Sequence, residues 1–320
     1  MTHDIRADPA SRFVVGIDLG GTKLHAALAT TEGRVVAERT EPTEQTDPRS
    51  VLTQLERTVR MLCSDFDISL DRLIATGIGG AGVPNGETAS FDLAPSLGGV
   101  ETVRLVDELE SRLGHPVVLE NDVNVAALGE LAEGIGRERD NFVFISVGTG
   151  IGMGIVIDGR LVRGSRGRAG EIGYLPFGAD PLDSANHRRG PLEEMVAGHM
   201  IADHYHARTT QSIGTRAVFE RARAGDADAI AAIDYEAEWL ARAIVAVDVV
   251  INPAAFVLGG GIGSQPEILT LVRPWLDRLG VSGLDVRQSQ LAEAAPIVGA
   301  VRLAIESAMD DVNLLTGLSR

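Results

Sequence analysis

The sequence predicts a two-lobed α/β fold from three observations: a length of 320 residues, an aliphatic composition, and short apolar runs alternating with helical patterns. The length exceeds one typical domain, so two lobes are the natural division. Hydrophobic residues make up 44% of the chain and aromatics only 4%, with 37 glycines, which fits aliphatic layers joined by many tight turns.

Residues 1–12 mix charge with small side chains and read as a flexible tail. Residues 13–17 form an apolar run ending at Asp18 and a Gly-Gly-Thr turn, and residues 24–29 and 34–37 read as two further strands of a meander. Apolar residues at helical spacing predict helices over 50–63 and 103–113, each followed by a strand, over 73–78 and 116–119. After Glu120-Asn121-Asp122 the pattern turns helical through Ala132.

A second meander follows: residues 141–147, the turn Gly148-Thr149-Gly150, residues 153–157, the turn Asp158-Gly159-Arg160, and a strand from Leu161. Its glycine turn and its later Gly-Arg turn echo Gly21-Thr22 and Gly33-Arg34 at nearly the same offset, which points to two related halves. Residues 164–190 are loop-rich, a helix is expected over 192 to about 205, and Ala-rich helices over 218–250. Asn252-Pro253 stops the last of these, and residues 256–258 form a buried strand entering Gly259-Gly260-Gly261. Ile297 and Val298 lead into a final helix. The expected division is a small lobe over 13–120, completed by the C-terminal helix at about 300–320, and a large lobe over 121–299.

The balance of 29 basic against 45 acidic residues, a net charge of −16, repels phosphate backbones and argues against a nucleic-acid partner. A small phosphorylated ligand stays compatible, because a local loop and a metal ion can override the global field. The single Cys63 forms no internal disulfide, as in a reducing compartment, and reads as a small buried apolar residue. No apolar stretch has signal-peptide or membrane-spanning length, so a cytoplasmic chain without a membrane partner is expected.

Three glycine turns are candidate phosphate sites. Asp18, Gly20, Gly21, Thr22 and Lys23 lie between two strands, where glycines let backbone N–H groups approach phosphate oxygens. The spacing matches neither a Walker loop nor a dinucleotide fingerprint, and a tight hairpin is the alternative. Lys23 is the only lysine beside 28 arginines, and its compact ammonium suits phosphate. The other two turns are Gly148, Thr149 and Gly150 after one strand, and Gly260 and Gly261 after another. Between the first two lies Asp122, whose carboxylate at a strand end can accept a proton from a bound hydroxyl or cap the helix that it starts.

In order and spacing these motifs resemble the ROK kinases of the hexokinase and actin-like superfamily, over nearly the whole chain from Val14. The carriers are residues 18–23, 120–124 and 148–152, Ala169-Gly170-Glu171-Ile172-Gly173, Leu192-Glu193, and residues 259–261. The resemblance implies a two-lobed actin-like ATPase (ribonuclease H-like) fold with a cleft between the lobes. It implies ATP with Mg²⁺ on the glycine turns, Asp122 as catalytic base, and Asn121, Glu171 and Glu193 as sugar-binding residues, in a homodimer. The implied activity is phosphorylation of a hexose, with the 6-hydroxyl of glucose as default and an aminosugar as alternative. A polyphosphate donor, for which Arg163, Arg166 and Arg168 would be a basic track, and a non-catalytic sugar sensor are further alternatives. The repressors of the family carry an N-terminal helix-turn-helix, for which the 17 residues before Asp18 are too few.

The sequence departs from that family at a zinc site. Tyr174, Ser184, Asn186 and Pro191 occupy the positions of its His and three Cys ligands, and His187 replaces a glycine, so structural zinc is not expected. A cluster of His199, Asp203 and His206 on one helix face is better read as ordinary helix surface. Residues 81–85 differ from the family's Pro-Gly-Pro-Val-Asp turn, and Ser96 stands where an Asn contacts sugar, which leaves the choice of sugar open. Tyr174 is expected to read the sugar in place of the His, its phenol donating to or accepting from a ring hydroxyl, while Pro176, Phe177 and Pro191 stiffen the loop.

Overall fold

The computed structural model describes residues 10–92, 97 and 99–316. Most of the expected tail, Ser96, and the last four residues of the expected C-terminal helix lie outside the described residues. By contacts the chain divides into two compact units, one running to Glu133 and resuming at Ala294, the other spanning Gly134–Glu293.

The first unit opens with an antiparallel meander of β1 (Phe13–Leu19), β2 (Lys23–Thr30) and β3 (Val35–Pro42). Helix α1 (Pro48–Asp65) follows, started by Asp47, whose carboxylate accepts the N–H groups of Arg49 and Ser50 at 2.8 and 3.1 Å, with Pro48 in the first turn. Then come β4 (Leu73–Gly80), the small hairpin β5 (Val83–Asn85) and β6 (Ser90–Asp92), α2 (Leu105–Leu113), β7 (Val117–Asn121) and α3 (Asp122–Glu133). The sheet runs β3-β2-β1-β4-β7, with β4 parallel to β1 and to β7. Along β1, Phe13, Val15 and Ile17 enter one core cluster while Val14 enters another, the period-two alternation of a strand buried on both faces.

The second unit repeats this plan. Strands β8 (Phe142–Val147), β9 (Ile151–Ile157) and β10 (Arg160–Leu161) form a meander. After a long irregular stretch come α4 (Glu193–Val196), α5 (Gly198–Thr209), α6 (Thr215–Arg223) and α7 (Ala227–Ile251). Strand β11 (Ala255–Gly259), the single turn α8 (Gly260–Gly263), α9 (Pro266–Arg278) and β12 (Val286–Gln288) complete it. The strand order β10-β9-β8-β11-β12 is that of the first sheet, three antiparallel strands followed by two parallel ones. The echo between the two glycine turns thus corresponds to a repeated topology.

Helix α10 (Ala295–Thr316) returns to the first unit, packing on α3 and on the face formed by β1 and β4. The approach needs glycine: a Cβ on Gly299 would strike the Val125 carbonyl, and one on Gly129 the Ala295 carbonyl. The expected end of α7 is present, with Asn252 left-handed at φ 47° and its N–H bonded to the Asp248 carbonyl at 2.8 Å. The single helix expected over 192–205 is instead two, broken where Ala197 turns extended at ψ 142°. Gly198 lets α5 start there: its N–H bonds the Gly148 carbonyl at 2.9 Å, and a Cβ would lie 2.5 Å from that oxygen.

Candidate functional site

Within the first unit, residues 19–23 form the hairpin between β1 and β2, closed by the Gly20 N–H to the Lys23 carbonyl at 3.0 Å. Thr43 braces it from β3's far end, its hydroxyl donating to the Gly20 carbonyl at 2.7 Å and its N–H to the Thr22 carbonyl at 3.1 Å. Thr22 and Lys23 are exposed, while Gly20, Gly21 and Asp18 are half-buried. Burial pushes the Asp18 carboxyl above the usual range, opposed by Lys23 and His25. The hairpin therefore offers a cation and a hydroxyl at its rim and a desolvated carboxylate at its base.

At the same carboxyl end of this sheet, on the edge strand β7, Asn121 rather than Asp122 carries the cap of α3. Its side-chain carbonyl accepts the N–H groups of Val123 at 2.9 Å and Asn124 at 3.3 Å, and its amide donates to the Gly82 carbonyl at 3.0 Å. Asp122, half-buried, also accepts the Val123 N–H at 2.9 Å. Glu120, 3% exposed, holds the segment from below: one carboxylate oxygen accepts both the Asn121 N–H and the Asn124 side-chain amide at 2.9 Å. Glu120 belongs to the 120–124 motif without an expected role of its own; an acid just before a strand-end Asn-Asp pair is the available signal.

Within the second unit, the two remaining glycine turns meet at the ends of the parallel strands β8 and β11. Ser146 pairs with Gly259 in the register, and Gly260, at φ 78°, lies so close to β8 that a Cβ would sit 2.5 Å from the Val147 carbonyl. The Gly148 N–H bonds the Gly150 carbonyl at 2.9 Å, and Thr149 and Gly261 are exposed. Glycine turns at the ends of two parallel strands are an arrangement that can receive a phosphate on backbone N–H groups.

The acids lie beside these turns. Glu193, first residue of α4, accepts the Ile151 N–H at 3.1 Å, and a Cβ on Gly150 would strike its carboxylate. Burial raises the Glu193 carboxyl, the Ile151 N–H and Arg189 lower it, and Glu194 and Glu171 raise it further, so the two expected sugar acids feel each other's charge. Glu171 is likewise raised by burial and lowered by Arg168. Its position follows from Gly170 at φ 95°, whose carbonyl takes the Met153 N–H of β9 at 3.0 Å.

Tyr174 is exposed, with the Arg168 guanidinium 5.8 Å from its ring centroid. Its hydroxyl donates to the Arg188 carbonyl at 3.1 Å, which commits the one phenolic proton and leaves the oxygen as acceptor. Of the positions that would hold zinc, Tyr174 and Asn186 are engaged in other bonds, Pro191 lacks a donor atom, and Ser184 offers a hydroxyl in place of a thiolate. The Asn186 amide donates to the Asp180 carbonyl at 2.9 Å, and Pro191 is buried with no side-chain donor. Among the described residues no group of three or more His, Cys, Asp or Glu is gathered for a metal, His199, Asp203 and His206 included, and this donor set does not fit zinc.

Against known proteins, the ROK family model matches residues 14–307. A glucokinase of Streptomyces coelicolor is 30% identical over 92% of this chain and 98% of its own. An N-acetylmannosamine kinase of Yersinia pseudotuberculosis is 29% identical over 89% of this chain and 96% of its own. Among solved structures, a ROK family glucokinase of Streptomyces griseus in complex with glucose and AMPPNP superposes with a TM-score of 0.74 and 28% identity, covering 92% of this chain and 99% of that one.

Proposed function

The chain belongs to the ROK family, with its actin-like ATPase fold, and on that premise we propose that it is an ATP-dependent sugar kinase acting on the 6-hydroxyl of a hexose, glucose by default. The observation that carries the reading is the grouping, within one unit, of two desolvated acids, Glu171 and Glu193, beside the glycine turn at Gly148–Gly150.

In this reading Glu171, Glu193 and Asn121 hold sugar hydroxyls, and Asp122 takes the proton from the attacking hydroxyl. The freed oxygen forms a bond to the γ-phosphorus as the bond to the β-phosphate oxygen breaks, giving the sugar phosphate and ADP. The nucleotide would arrive as its Mg²⁺ complex; Asp18 would hold the cation, and Gly20, Gly21, Thr22, Lys23, Gly148, Thr149, Gly150, Gly260 and Gly261 would hold phosphates. Positioning and charge stabilisation supply most of the acceleration. The reading includes a homodimer in the cytoplasm, without nucleic-acid or membrane partners. The net charge of −16 supports the first exclusion, and for the second no helix among the described residues is long and apolar enough to cross a membrane.

The similarity to an N-acetylmannosamine kinase favours an aminosugar as the second reading. An ADP-release assay over hexoses and aminosugars, with ATP and polyphosphate compared as donors, separates the two. Turnover of glucose with ATP supports the first reading and preference for an aminosugar the second. Sugar binding without ADP release from any combination would make the chain a sensor and overturn both.

A further inference from the structure

We propose that Tyr174 is a positioning residue that sets the spacing of Glu171 and Glu193 by locking the strap of residues 174–191 with a side-chain hydrogen bond. The proposal rests on the sugar-kinase reading for its functional half and on the geometry for the other.

The two acids are close in space but reached through a long irregular excursion between residues 174 and 192 with little regular structure to hold it. Such a segment samples many conformations unless it is cross-linked. Hydrogen bonds, one close backbone approach and apolar packing close it. At its neck the Leu192 N–H bonds the Gly173 carbonyl at 3.0 Å, and the Ala179 N–H bonds the Pro191 carbonyl at 3.0 Å. Beside the neck, the Tyr174 hydroxyl reaches the Arg188 carbonyl at 3.1 Å. Further out, Asn186 donates to the Asp180 carbonyl at 2.9 Å, and the His187 ring to the Pro181 carbonyl at 3.0 Å. Gly190, left-handed at φ 103°, lies so close to Tyr174 that a Cβ would sit 2.9 Å from its Cα. Phe177 packs on the second unit's core, anchoring one limb.

Tyr174 stands three residues from Glu171, and its acceptor Arg188 five residues from Glu193. The phenol is therefore the side-chain tie nearest to both acids, joining the two limbs just where they enter the site. Its donation to a backbone carbonyl works for any sugar, so its loss weakens sugar binding without altering preference.

The test uses the full-length protein and Tyr174→Phe, which removes only the hydroxyl. Amide hydrogen exchange at Ala179, Gly190 and Leu192 is expected to quicken by roughly fivefold, the worth of one hydrogen bond, with α7 and β1 unchanged. The KM for sugar is expected to rise by a similar factor, with kcat, the KM for ATP and the ranking of sugars kept. Asn186→Ala, one tie further out, is expected to quicken exchange at Gly190 with a smaller change in sugar KM, and it serves if Tyr174→Phe does not fold. Unchanged exchange at these amides overturns the proposal, as does an altered sugar ranking, which would make Tyr174 a direct reader of the sugar. Stoichiometric zinc by elemental analysis overturns it too. The exchange and elemental readouts need no turnover, so they decide the strap even if no sugar is phosphorylated.

Discussion

The carboxylate of Glu193 accepts the backbone N–H of Ile151 at 3.1 Å, which ties an expected sugar ligand to the turn expected to hold phosphate. The bond gives Glu193 two tasks. Glu193→Gln retains an oxygen for Ile151 and is expected to raise the sugar KM by about tenfold to a hundredfold with ATP handling kept, the range of a lost charged hydrogen bond. Glu193→Ala removes both and is expected to raise the KM of sugar and ATP alike. Steady-state kinetics with each substrate varied separately distinguishes them, and identical profiles for the two variants would refute the double role.

Asp122→Asn is expected to lower kcat by about 10² to 10⁴, because an amide keeps the shape but offers no basic lone pair. Folding is expected to be intact, since the cap of α3 belongs to Asn121. The reciprocal variant Asn121→Ala is expected to lose about 1 kcal/mol of stability. Near-normal turnover in folded Asp122→Asn would remove the carboxylate from the chemistry.

Lys23 is exposed at the rim of a hairpin that Thr43 braces independently of it. Lys23→Ala is therefore expected to weaken ATP binding by roughly tenfold, as for one lost charge-assisted contact, and to leave the melting temperature and sugar affinity unchanged. Calorimetric titration with each ligand alone measures both. An equal loss for sugar and nucleotide would assign Lys23 to folding.

Glu236 is 1% exposed on α7, its oxygens have no hydrogen-bond partner, and burial lifts its carboxyl to about 8. The folded chain keeps a proton that the unfolded chain releases near 4.5. The stability linked to this group is thus full below about pH 4.5 and is lost as pH rises from there through about 8, by on the order of 5 kcal/mol. Glu236→Gln is expected to flatten that slope in urea unfolding curves taken at pH 5 and pH 8. Parallel losses in variant and parent would place the proton elsewhere.

The sequence by itself determined the repeated meander, the three glycine turns, the strand-end Asn-Asp pair and the stop at Asn252, because each depends on neighbours within a few residues. Period-two burial along β1 and the left-handed demand at a helix end are local physics that residue types carry directly. Strand β12 carried no such signal: it is three residues long and exists by pairing with β11, a partner far along the chain. The division of labour at the site was also beyond local reading. That Asn121 takes the cap, that Glu120 clamps it from a buried position, and that Tyr174 spends its proton on Arg188 depend on which acceptor the folded chain brings within about 3 Å. A side chain's chemistry is written in its residue type, but its partner is chosen by loop closure and packing, and only the tertiary structure supplies those.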